Sequence, residues 1–188
     1  MTKIYSNNTI KELHIYDPLD IPNEHKRQDT KAYIVAVLNR HSEHAPEIAK
    51  IWTIDENATS FTFEEPKHQE GKMAYIGDLQ VSPDFQYAVT PGYFLYPQEL
   101  KNASDYCDFV VRFFSIKNNS FEELSCVRFD EHINVGNKYP TVILVKNSTK
   151  AIISIPEVTV ALVDITTGKI LSEWPTNSIH QLYYHVDK

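Results

Sequence analysis

His41 and His44, with Glu43 between them and Glu47 beyond, form the one cluster in this chain whose spacing suits a metal ion. On a helix the two imidazoles share a face and Glu47 lies one turn further on, and imidazole with carboxylate is a donor set for zinc or a similar divalent cation. His41, His44 and Glu47 are therefore the candidate ligands of a metal-dependent hydrolase. No third histidine sits at a recognisable spacing and Pro46 limits the helix, so a solvated polar loop is the expected state and no metal is expected. Asp130-Glu131-His132 sets acids beside an imidazole; neighbours on a strand point to opposite faces, so Glu131 and His132 are not expected to act together, and Asp130 is expected to orient His132 only in a loop. Ser104, Ser125 and Ser154 are available hydroxyls, but none sits in a G-x-S-x-G elbow. The 5 glycines never cluster, so no loop is written to cradle a phosphate. His180 and His185 flank Leu182, Tyr183 and Tyr184 at odd spacing, and they read as surface or edge-strand residues. No cofactor is expected and no catalytic residue is assigned.

The two cysteines, Cys107 and Cys126, fall on either side of Asn118-Asn119. If those asparagines centre a hairpin, Cys107 lies opposite residue 130 or so and Cys126 opposite residue 111 or so. The two are then out of register by about four residues, roughly 13 Å along a strand, too far for a disulfide. They are expected as buried thiols in a reducing, cytoplasmic compartment. Asn7, Asn57, Asn102, Asn118 and Asn147 each begin an N-x-S/T triplet; with no leader segment expected, these read as polar turns rather than glycosylation sites.

A chain of 188 residues with 42% hydrophobic and 23% charged residues is in the globular range, enough for one substantial core. Its net charge of −7 disfavours nucleic acid, whose phosphates need Lys and Arg, and suits a basic protein partner. No apolar run approaches the roughly 20 residues that a membrane-spanning helix needs, so no membrane association is expected. Tyr and Phe number 11 and 9, and with abundant Val, Ile and Thr they favour strand over helix.

Residues 1–30 mix short apolar pairs with prolines and a charged run, an N-terminal arm in which Ile10, Leu13, Ile15 and Tyr16 form one short strand. Residues 31–188 are then a single domain. It opens with Ala32–Leu38, an apolar run suited to a strand buried on both faces. Ser42–Lys50 is the one helix candidate. Strands follow on both sides of a polar turn at Asp55–Asn57, then Tyr75–Val81, the turn Ser82-Pro83-Asp84, and Gln86–Thr90. Pro91-Gly92 is expected to break the chain, leaving Tyr93–Asp105 as a loop. Asp108–Ile116 and Phe121–Phe129 pair around Asn118-Asn119, Asp130–Pro140 is loop, and Thr141–Val145 pairs with Ala151–Ile155. Val158–Trp174 reads as a hairpin with Thr167-Gly168 in its turn, where glycine takes φ > 0 freely. Ile179–Val186 is expected as a closing strand.

These hairpins recur. Residues 78–90 and 158–171 are similar to the inner-pair and outer-pair texts of β-propeller blades, V-S-P-D-x-x-Y-A-V and V-x-D-x-x-T-G-K-x-L. On those residues the chain resembles degenerate β-propeller repeats of the WD and TolB-like kind over residues 31–188. Successive outer hairpins recur at about 50 to 60 residues, near or above the propeller range. The resemblance implies an all-β, antiparallel fold of three propeller-like blades. A closed propeller needs at least four, so three would be completed by another chain, by the terminal segments, or left open. The alternative is a β-sandwich with similar hairpins.

Function is expected to be non-enzymatic: a soluble protein-binding module, such as an inhibitor or immunity protein neutralising a basic partner. The alternatives are a structural subunit of a larger assembly such as a virion or secretion machine, with homo-oligomers possible, and the hydrolase named above. The aromatic set Tyr87, Tyr93, Phe94, Tyr96 and Tyr106 is the candidate partner-binding surface, since tyrosine offers rigid contact area at low entropic cost.

Overall fold

The computed structural model describes residues 10–16, 32–38, 47–54, 59–64, 73–76, 79–95, 106–134, 140–145 and 148–175. Within them the protein is all-β and antiparallel, in three sheets that follow one another along the chain. The first sheet is β1 (Ile10–Tyr16), β2 (Ala32–Leu38), β3 (Glu47–Ile54) and β4 (Ser60–Glu64), in that spatial order. The central sheet runs β5 (Met73–Ile76) and β6 (Gln80–Val81) along one side of β7 (Tyr87–Leu95), then β8 (Tyr106–Lys117) and β9 (Ser120–Asn134). The third is β10 (Thr141–Leu144), β11 (Lys150–Ile155), β12 (Thr159–Asp164) and β13 (Lys169–Pro175). Each is a meander in which neighbours in sequence are neighbours in space. Three such sheets stand where a β-sandwich has two. None of the three sheets closes on itself.

The sheets stack face to face. One apolar cluster joins Val35, Val37, Ile51 and Phe63 of the first sheet to Val81, Phe85, Ala88 and Phe114 of the central one. A second joins Val89, Phe109, Val111 and Phe113 of the central sheet to Ile153, Ile155, Ala161 and Val163 of the third. Strand alternation makes this possible: in β8 Phe109, Val111 and Phe113 face one neighbour while Phe114 and Ile116 face the other. The central sheet is thus buried on both sides.

The turns are built as the residues dictate. Asn118 and Asn119 take φ of +51° and +58°, the paired left-handed conformation of a two-residue hairpin loop, which asparagine tolerates. Gly168 takes φ of +70° in the β12–β13 turn and donates its N–H to the Asp164 carbonyl at 2.8 Å. In the β6–β7 turn the Ser82 hydroxyl donates to Asp84 Oδ1 at 2.6 Å and accepts the Tyr87 N–H at 3.0 Å, closing the loop with side-chain groups.

Several expectations are corrected. Glu47–Lys50, the end of the expected helix, belongs to β3, because Val37 and Phe63 need Ala49 between them in the sheet. Tertiary pairing overrides a marginal helix signal there. Pro91-Gly92 does not break the chain: β7 continues to Leu95, with Pro91 opposite Val111 and Gly92 opposite Val110. On its other side β7 pairs with Ile76 of β5 at Gly92 and with Gln80 of β6 at Val89. Asp130–Asn134, expected as loop, is the end of β9. The short strand expected at residues 10–16 is present as β1 and pairs along β2 from Ile10↔Leu38 to Tyr16↔Tyr33. The closing strand expected at residues 179–186 lies outside the described residues.

Candidate functional site

The residues singled out for chemistry lie partly outside the described residues, and those described are spread over separate strands. His41 and His44 lie outside the described residues, and Glu47 opens β3, where strand geometry replaces the helical spacing that would have set it one turn from them. Asp130, Glu131 and His132 are consecutive in β9, not in the loop that an Asp130–His132 pairing required. The Ser125 hydroxyl donates to the Ile165 carbonyl at 2.7 Å and ties the central sheet to the third, while Ser154 is buried in β11. Among the described residues no group of three or more His, Cys, Asp or Glu is placed to hold a metal. No helix among them is long and apolar enough to cross a membrane.

Cys107 pairs with Ile133 and Cys126 with Arg112, further out of register than the hairpin count gives because bulges interrupt the β8–β9 ladder. Cys126 is a free thiol, and it is exposed rather than buried as expected. Neighbouring atoms still withdraw enough water from it to raise its pKa above the ordinary thiol value, with the Arg112 charge opposing and the Glu123 charge adding to the rise. A raised thiol is a poorer nucleophile at neutral pH, so nothing here resembles an activated cysteine. Thr90 Oγ1 and Ser115 Oγ are buried hydroxyls without hydrogen-bond partners. They sit on opposite faces of the central sheet and form no common site.

Tyr87, Tyr93 and Phe94 are in β7 and Tyr106 begins β8; Tyr96 lies outside the described residues. Tyr87 is half-buried against the cluster between the central and third sheets, and Tyr93 and Phe94 occupy a paired strand rather than a loop.

Among the described residues, several exposed apolar side chains lie on the sides of the first and third sheets turned away from the central sheet, although Ala36, Ser154 and Val160 on the same sides are buried. On the first sheet, the side turned away from the central sheet carries the cross-strand rows Leu13–Ala36–Lys50–Thr62 and Ile15–Ile34–Trp52–Ser60. Leu13 and Ile15 are 59% and 67% exposed, and Ile54, beside Ala32, is also exposed. Lys50 Nζ lies 5.9 Å from the Trp52 ring centroid, a cation over an indole face. On the third sheet the outward rows are Thr141–Ser154–Val160–Trp174 and Ile143–Ile152–Leu162–Ser172. Trp174 is 52% exposed, while Ile143, Ile152 and Leu162 are half-buried. The chain's 2 tryptophans thus stand one on each open face.

The inner joints show what such faces do once covered. Between the first and central sheets Phe63 meets Phe114 edge-on at 5.0 Å and Phe121 at 4.6 Å. Between the central and third sheets Gly168 packs so closely on β9 that an added Cβ would lie 3.2 Å from the Cys126 carbonyl oxygen.

The sequence held one signal for these faces. β2 and β11–β12 are almost continuously apolar, the pattern of strands covered on both sides, and among the described residues one side of each is covered by another sheet. No known protein family matches the sequence, and no curated protein matches it.

Proposed function

We propose that this chain is a non-enzymatic protein-binding module of three propeller-like blades, which works by docking protein on its two open sheet faces. The observation that carries this reading is the exposure of Leu13, Ile15 and Trp174 within rows whose neighbours are buried. Large apolar side chains set together on a regular face mark an interaction surface, whereas isolated ones do not. This favours a subunit of a larger assembly over a free-standing inhibitor. The acidic balance of −7 suits a partner whose rim is basic, where opposite charge speeds encounter.

The test is capture of protein from the native source by four tagged forms of the full chain. The wild type and a control altered on the exposed β8–β9 turn, Lys117→Glu, are expected to retain the same protein. Leu13→Glu or Trp174→Glu is expected to lose it. Retention by both face variants, or capture of nothing by the wild type, overturns the reading.

A further inference from the structure

We draw no further inference here: the strongest candidate, the cross-strand row Thr90–Arg112–Cys126 on the side of the central sheet that faces the first, rests on a lone cysteine beside a buried threonine hydroxyl, with no second observation that points to a ligand.

Discussion

Phe85 lies flat on Tyr33 across the joint between the central and first sheets, ring centroids 3.7 Å apart and planes 8° from parallel. It holds this position from the β6–β7 turn at φ of +54°, a conformation that an L-residue adopts only where packing over-determines it. Truncating a buried phenylalanine of this kind removes both its transfer energy and the filling of its site. Phe85→Ala is expected to cost about 3 kcal/mol in urea unfolding, and Tyr33→Ala in the same background to add less than it costs alone, because the two rings share one contact.

Gly168 is held against β9 with no room for a side chain. Gly168→Ala is expected to cost about 1–2 kcal/mol from the backbone conformation alone. Ser125→Ala removes the hydroxyl donated to Ile165 and is expected to cost about 1 kcal/mol. Thermal unfolding of the double variant should show less than the sum, since both changes loosen the same joint.

Asp164 Oδ1 accepts the N–H groups of Thr166 and Thr167, each at 3.0 Å, together with both threonine hydroxyls. These hydrogen bonds, the one from the Thr166 hydroxyl foremost, hold its carboxyl below its ordinary value. A lowered folded-state pKa stabilises the protein above the unfolded-state value, and that contribution disappears as pH falls through the lowered one. Asp164→Asn is expected to be less stable than wild type at neutral pH. The gap should narrow in strong acid, as followed by unfolding midpoints across an acid series.

Asn119 sits where the loop type most favours glycine. Asn119→Gly is expected to raise stability by about 0.5 kcal/mol, and Asn119→Val to lower it by about 1–2 kcal/mol, both measured as shifts of the guanidinium midpoint.

The elements legible in the sequence are those whose geometry is written locally. Ser82-Pro83-Asp84, Asn118-Asn119 and Thr167-Gly168 specify turns by their own φ preferences and side-chain acceptors, and the hairpins follow from them. The misread segments are those decided by a distant neighbour. Glu47–Lys50 has a marginal helix signal and becomes strand because β2 and β4 need it. Pro91-Gly92 has a strong break signal and stays in strand because β8 continues to pair with it. The open faces were not legible as a site: Ile15, Ile34 and Trp52 have the same composition as core, and only the number of stacked sheets decides which core-like face meets water.

Every strand in the described residues pairs with a strand of its own sheet, and the sheets meet through side chains and a few hydrogen bonds at turns. Few pairings span a long stretch of sequence, so the contact order is low for a β protein, and each meander should form quickly from its own hairpins. The slow event is then the docking of finished sheets. Native-state hydrogen exchange should accordingly resolve three units, with the amides of the doubly covered central sheet the last to open.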